Sequence, residues 1–453
     1  MSNPITADKF ASHVVAMPYP GRGHINPLLN LCRSLSSRNK HTLFTVVVTK
    51  EWLGLLGSEI MPENMKFASI PNVVPSEAGR AADIIGFVES VQTKLEDPFE
   101  RLLNQLEPPV KLIVSDTILQ WVVLLGNRRN IPVASFWTSS ASGFSIAYHH
   151  DLILQNNHSS LEERGDELAD YIPGLPALKL VDLLPFSTVQ NQIFEKIVAA
   201  FSLVPKAQYL LIVSIYEFES KVINALRSSL SIPIFTVGPN IPHFSLQVNS
   251  LSITKSTDSS CYMKWLDSQS PGTVLYISYG SFLSVSSPQM DEIAVGLVES
   301  GVPFFWVARG EASRLKEVCS GAGIVVDWCE QLRVLCHSSV GGFWSHCGWS
   351  SVMESVYAGV PLIASPITAD QPMNAKLVVE DWKIGCKMKI EVGNERWMKR
   401  EEIVEVVTRF MDNENLEREE MVKRVKALQQ TARNAVENGG SSDMNLNTIS
   451  QVF

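Results

Sequence analysis

Residues 328–371 read WCEQLRVLCHSSVGGFWSHCGWSSVMESVYAGVPLIASPITADQ, and they gather aromatic, glycine, hydroxyl, imidazole and carboxylate groups as no other part of the chain does. Within them, Gly341-Gly342-Phe343-Trp344-Ser345 has the apolar character of a short buried strand. The strand breaks at a glycine, and a helix is expected to start near Ser350 or Ser351 and to stop at Gly359-Val360-Pro361. A strand, a tight turn and a helix make one step of a parallel α/β sheet. The free N–H groups and positive dipole end of such a helix suit an anion such as a diphosphate.

The side chains around that turn extend the reading. Trp328 offers a flat face to a base, and Glu354, one turn after Ser350, can accept hydrogen bonds from two neighbouring hydroxyls. His346, Ser350 and Ser351 add donors, while Asp370 and Gln371 suit a hydroxyl-rich group. Each has a plainer reading when taken alone: a tryptophan is usually core, and Glu354 fits an N3 capping position.

The same alternation runs outward. His13 to Met17, Leu43 to Thr49, Leu112 to Ser115, Val133 to Phe136 and Leu210 to Val213 read as short apolar strands between helical runs. A helix carrying Leu28, Leu31, Cys32 and Leu35 on one face follows the first strand. Gln155 to Pro185 reads as a long surface loop. A first domain is therefore expected over residues 1–239 and a serine-rich linker over 240–260. A second α/β domain follows over 261–437, with a glycine-serine turn leading into a tail at 438–453.

Composition sets limits. A chain of 453 residues, 45% hydrophobic and 19% charged, can bury two cores. Its formal charge of -9 argues against a nucleic-acid partner. The odd count of 7 cysteines, without metal-type spacing, points to free thiols, and no apolar run is long enough for a membrane span. The start of the chain lacks a signal-peptide pattern, so a cytoplasmic location is expected.

A candidate base lies in the first domain. His24 stands in Pro20-Gly21-Arg22-Gly23-His24-Ile25-Asn26-Pro27, after the first strand, where open α/β sheets bind ligands. Asp116, ending the strand that starts at Leu112, is placed to orient it, although a capping histidine and a strand-end aspartate are equally ordinary. Gly21-x-Gly23 lacks the third glycine of a dinucleotide fingerprint, which leaves an NAD-dependent oxidoreductase as the weakest reading.

The window from Trp328 to Gln371 resembles the donor-site signature of plant family 1 UDP-glycosyltransferases. Trp328, Gln331, His346-Cys347-Gly348-Trp349, Glu354, Gly359-Val360-Pro361, Pro366 and Asp370-Gln371 stand in register without a gap. Cys329-Glu330 replace the usual Ala-Pro, and Ser350 replaces the usual Asn. Pro20 to Pro27 is similar to the family's glycine-His-x-x-Pro start, whose histidine deprotonates the acceptor. Ser115-Asp116-Thr117 is similar to the motif whose aspartate pairs with that histidine. Asn374 and Lys376 carry the similarity past the signature.

The resemblance implies a GT-B fold, two Rossmann-like domains facing each other across a cleft, with the C-terminal tail returning to the first domain. It implies inverting transfer of glucose from UDP-glucose to a small lipophilic acceptor, by a monomer that needs no metal. The sequence has no D-x-D pair. Donor contacts are implied at Gly23, Thr138, Ser281, Trp328, Cys329, Gln331, His346, Gly348, Trp349, Ser350, Ser351, Glu354, Asp370 and Gln371. Acceptor-lining positions are implied at Ile118, Tyr148, His149, Thr368 and Ala369. A protein that holds UDP-sugars without turnover is the alternative, and the Cys329-Glu330 and Ser350 departures are what favour it.

Overall fold

Runs of four to eight apolar residues, several rich in valine and isoleucine, are too short for buried helices and become parallel strands covered on both faces. The computed structural model describes residues 9–57, 61–77, 79–80, 83–156, 167–180, 191–241, 257–280, 285–319, 321–389, 391–392 and 396–452. The chain divides into two compact units, Met1–Asn240 with Ala435–Phe453, and Ile241–Asn434.

The first unit holds β1 (Ser12–Met17), β2 (Thr42–Thr49), β3 (Met65–Ile70), β4 (Leu112–Asp116) and β5 (Val133–Trp137). A two-residue pair, β6 (Leu168–Ala169) and β7 (Leu178–Lys179), stands apart from its main sheet, which is completed by β8 (Tyr209–Ile212) and β9 (Ile234–Thr236). The main sheet is parallel, in the order β3-β2-β1-β4-β5-β8-β9. Its order reverses between β1 and β4, and there the register aligns Met17 with Ser115. Asp116 is aligned with Phe136 on the next strand. The segments leaving β1, β4 and β5 therefore emerge side by side at the carboxyl edge, the usual ligand edge of such sheets.

The second unit repeats the plan with β10 (Val274–Ser278), β11 (Phe304–Val307), β12 (Gly323–Val326), β13 (Val340–Ser345), β14 (Leu362–Ala364) and β15 (Gly385–Lys387), again parallel, in the order β12-β11-β10-β13-β14-β15. Here Ser278 aligns with Ser345, so the turns after β10 and β13 are neighbours. The glycine pair in β13 has a packing reason: a Cβ on Gly342 would come within 2.6 Å of the Phe410 ring. Phe410, Trp306 and Trp344 belong to the core under this sheet.

Three boundaries differ from the sequence reading. Helix Thr257–Asp267 begins inside the expected linker, whose residues 242–256 lie outside the described residues. The expected loop from Gln155 to Pro185 contains β6 and β7 in its described part. The end of the chain is a helix, Ser441–Val452, because Ser442, Asp443, Leu446 and Ile449 form a buried stripe. Asp443 pairs with Arg38 at 2.8 Å and Asn445 donates to the Thr236 carbonyl at 2.9 Å, which fastens this helix within the first unit. Among the described residues no helix is long and apolar enough to cross a membrane.

Candidate functional site

The segment after β1 is tighter than a loop. Helix Arg22–Arg38 starts at once, with extended Gly21 as its N-cap, and puts His24 in the first turn. Gly21 is confined by a buried arginine: an added Cβ would lie 2.6 Å from Arg80 Nη1, which itself donates to the Pro20 carbonyl at 3.0 Å. Glu77 pairs with Arg80 at 3.1 Å, and the guanidinium lies 5.5 Å from the Phe87 ring. Arg80 thus braces the approach to His24. Gly23 is exposed, and an added Cβ there would meet nothing within 4 Å, so sterics do not demand glycine.

His24 Nδ1 lies 2.7 Å from Asp116 Oδ2, with the histidine side chain 26% exposed and the aspartate 1%. The other carboxylate oxygen accepts from the Ile118 N–H at 3.0 Å, which fixes its plane. Thr138 Oγ1 stands 3.3 Å from the same Nδ1. Strand order alone would bring these three residues together, and the hydrogen bonds orient them. With Asp116 ionised, Nδ1 carries the ring proton and Nε2 is the basic nitrogen.

Ile118 and Tyr148 pack on one apolar cluster with Trp137, Phe144 and Phe201, beside the partly buried Tyr19. The Tyr19 ring centroid is 5.1 Å from that of His24, and burial raises its phenol above the usual range. Tyr148 stacks on Phe144, and His149 Nδ1 donates to the Ser145 carbonyl at 2.9 Å. Desolvation lowers the His149 pKa. The sequence reading missed Tyr19 and Arg80. An aromatic residue beside the expected base was a usable signal for the first, but nothing local marked the second.

In the second unit, helix Trp349–Ala358 begins one residue before the expected range, with Gly348 at its N-cap and left-handed Gly359 (φ +72°) at its end. The turn before it is unusual: Cys347 is left-handed at φ +63° without being glycine. Its N–H donates to Ser345 Oγ at 3.1 Å and its carbonyl accepts from Asn374 Nδ2 at 3.1 Å. Asn374 Nδ2 also reaches Asp370 Oδ2 at 2.8 Å, so one buried amide ties Asp370 to this turn.

His346 fills the space that two glycines leave. A Cβ on Gly280 or on Gly348 would each come within 2.5 Å of its Nε2. The space beside the Gly280 backbone is therefore taken by an imidazole. Burial pushes the His346 pKa down to about 4, and the Ser278 backbone opposes that shift without making a well-formed hydrogen bond to the buried Nδ1. Desolvation thus favours the neutral ring. Ser281 lies outside the described residues.

Gln331 links the expected ribose side of the site. Its Nε2 donates to Glu354 Oε2 at 2.9 Å and to Ser351 Oγ at 3.0 Å, and its carbonyl accepts from Tyr276 at 3.0 Å. Desolvation raises the Glu354 carboxyl to about 7, which Gln331 partly opposes. Trp328 is 56% exposed, a large aromatic face left open, whereas Cys329 is buried with its thiol 3.5 Å from Tyr276 Oη. Trp349 is buried, its ring 6.1 Å from that of Trp382, while Ser350 is partly exposed. Gln371 Oε1 accepts from the Ile367 and Thr368 N–H groups at 2.8 and 3.1 Å. Thr368 is partly exposed and Ala369, at φ +55°, is exposed.

Comparison with known proteins gives the family and the fold. A family model described as UDP-glucoronosyl and UDP-glucosyl transferase matches residues 185–426. The chain is 48% identical over 437 residues to UDP-glycosyltransferase 87A2 of Arabidopsis thaliana, covering 96% of this chain and 95% of that one. It is 47% identical to UDP-glycosyltransferase 87A1 of the same plant, covering 96% and 98%. Among solved structures it is similar to Phytolacca americana UGT2 complexed with UDP-2fluoro-glucose and pterostilbene, with a TM-score of 0.80, 26% identity and coverage of 98% and 99%. The chain belongs to the plant family 1 UDP-glycosyltransferases and has their GT-B fold.

Proposed function

We propose that this glycosyltransferase moves glucose from UDP-glucose to a hydroxyl of a small lipophilic plant metabolite, phenolic, flavonoid or terpenoid, with inversion. The 2.7 Å contact between His24 and Asp116 carries the reading. Nε2 takes the acceptor's hydroxyl proton as the oxygen attacks the anomeric carbon, and Asp116 stabilises the imidazolium that results. The new carbon–oxygen bond forms on one face while the bond to the diphosphate breaks on the other, and its electron pair leaves with UDP. Charge growing on that leaving group meets the helix start at Gly348 to Ser351.

Trp328 supplies the face for uracil, and Glu354 accepts from the ribose hydroxyls. Asp370 and Gln371 hold the sugar. The similarity to a protein complexed with UDP-2fluoro-glucose and pterostilbene supports a glucosyl donor and a phenolic acceptor. The apolar cluster of Ile118, Trp137, Phe144 and Phe201, with Tyr148, supports lipophilic recognition in the first unit.

UDP release from UDP-glucose, measured against a panel of phenols and terpenoid alcohols for the wild type and His24→Ala, tests this. Turnover that His24→Ala loses while still binding UDP is the expected result. Binding without turnover for every acceptor would favour a UDP-sugar-binding protein. Turnover that survives His24→Ala would remove His24 as the base.

A further inference from the structure

Glu219 is a buried carboxylate that the reaction above does not use. It is 5% exposed, and among the described residues no ion pair is formed with it. A buried ionised carboxylate is costly unless several donors satisfy it. Four do so here. Oε2 accepts from the Ala141 N–H at 2.9 Å and from Ser214 Oγ at 2.5 Å, and Oε1 accepts from the Ser142 N–H at 2.8 Å and Ser142 Oγ at 2.6 Å.

Those donors join two segments. Ala141 and Ser142 open helix Ala141–Tyr148, and Ser214 lies just after β8. Ser140 Oγ accepts from the Gly143 N–H at 3.1 Å, so the first three N–H groups of that helix are all taken, two of them by Glu219. Glu219 can reach them because its backbone leaves helical geometry inside Tyr216–Ser229, at φ -134° and ψ 33°. The turn held in this way is the one that follows β5. Trp137 Nε1 donates to the Ser140 carbonyl at 2.9 Å, and Thr138, between them, stands 3.3 Å from His24 Nδ1.

We propose that Glu219 is a positioning residue for the transferase reaction, its carboxylate binding the start of helix Ala141–Tyr148 to the end of β8 and so holding Thr138 against His24. The inference rests on the reading of His24 and Thr138 given above. Ser, Thr, Asn or Asp at the N-cap would suffice to stabilise a helix end. A carboxylate from a distant segment additionally fixes where that end sits, and displacement by about 1 Å is enough to cost a reaction on the order of a hundredfold.

A double-mutant cycle with Glu219→Gln and Thr138→Ala, read as kcat, acceptor KM and thermal midpoint, tests the proposal. Glu219→Gln presents an amide where two acceptor oxygens are needed, and it is expected to lower kcat about 10- to 100-fold with little change in the acceptor KM. In the Thr138→Ala background the same change should cost about threefold or less, because the group being positioned is gone. Should Glu219→Gln not fold, Ser142→Ala removes one of the four hydrogen bonds and is expected to show the same non-additivity at smaller amplitude. Equal losses in both backgrounds, or a lowered midpoint with kcat unchanged, would overturn the proposal. If Thr138→Ala and His24→Ala both leave kcat intact, the functional reading has failed instead, and the two failures are thereby told apart.

Discussion

Each unit places a histidine just past the carboxyl end of a central strand, His24 after β1 and His346 after β13, and the two are made into different reagents. His24 is partly open to solvent and has a carboxylate on Nδ1. His346 is wedged between two glycine backbones, has no well-formed hydrogen bond at Nδ1 and is held neutral by desolvation. The residue type is shared but the surroundings differ: one ring is paired with a carboxylate and partly open to solvent, the other is desolvated between glycine backbones. Sequence alone assigned both to the site, but it gave His346 a donor's part beside a diphosphate without revealing that burial lowers its pKa.

The largest effect expected from this contrast is in the first unit. His24→Ala should lower kcat by about 10²- to 10⁴-fold, the usual range for loss of a general base. Asp116→Asn keeps the shape but accepts on one oxygen only, and should approach the same loss by favouring the wrong ring tautomer. The double variant should be scarcely worse than either single one, since the two groups act as a unit. Full additivity, measured as single-turnover rates with saturating donor, would break the pairing on which the comparison depends.

A smaller effect separates two groups of the second unit, His346 and Glu354, by its sign. A cationic His346 would make UDP-glucose bind more weakly as pH rises from 5.5 to 8. With its pKa near 4, His346 stays neutral over that range and contributes no such trend. Glu354, raised to about 7, should produce the opposite one. Ribose hydroxyls donate to the ionised carboxylate, so affinity should rise through about pH 7 by at most about tenfold per unit. Calorimetric titration of UDP-glucose from pH 5.5 to 8 checks this, and Glu354→Gln should flatten the curve. A falling curve in the wild type would mean that the imidazole is charged after all.

How much was legible beforehand follows from what sequence encodes. The strands β1, β2, β4, β5, β8 and β13 were readable because parallel strands buried on both faces are continuous apolar runs. Given their order, the meeting of His24, Asp116 and Thr138 follows from three adjacent carboxyl ends. Helix Ser441–Val452 was not legible, because its buried stripe is mostly serine, aspartate and leucine and resembles a polar tail. Glu219 and Arg80 were invisible for a related reason. Each acts through a partner about 60 to 80 positions away in the chain, and no local pattern announces such a contact. Asn374 was closer to legible, standing one helical turn after Asp370, yet its bond to the Cys347 carbonyl depends on a left-handed turn that no residue type there predicts.

A third histidine sharpens the contrast with the smallest expected effect. His13 lies at the opposite end of β1 from His24 and is completely buried, with Nδ1 2.6 Å from the Pro108 carbonyl and Nε2 2.7 Å from Thr45 Oγ1. Nδ1 donates and Nε2 accepts, so the neutral ring is fully satisfied. Desolvation, with Lys66 adding to it, lowers the pKa below its ordinary 6.5, while the bond to Pro108 opposes the shift. Below about pH 6.5 the unfolded chain therefore takes up a proton that the folded chain refuses, and stability falls as pH falls until the folded pKa is reached. The slope from this group cannot exceed about 1.4 kcal/mol per pH unit. His13→Asn removes the titration and about one hydrogen bond, so it should cost about 1 kcal/mol at pH 8 and progressively less, relative to wild type, towards pH 5.5. Denaturant midpoints at the two pH values measure that convergence. Parallel stability curves for the two proteins would mean that His13 is not the proton acceptor, and loss of kcat in a folded His13→Asn would mean that the two ends of β1 are not the separate structural and chemical regions described above.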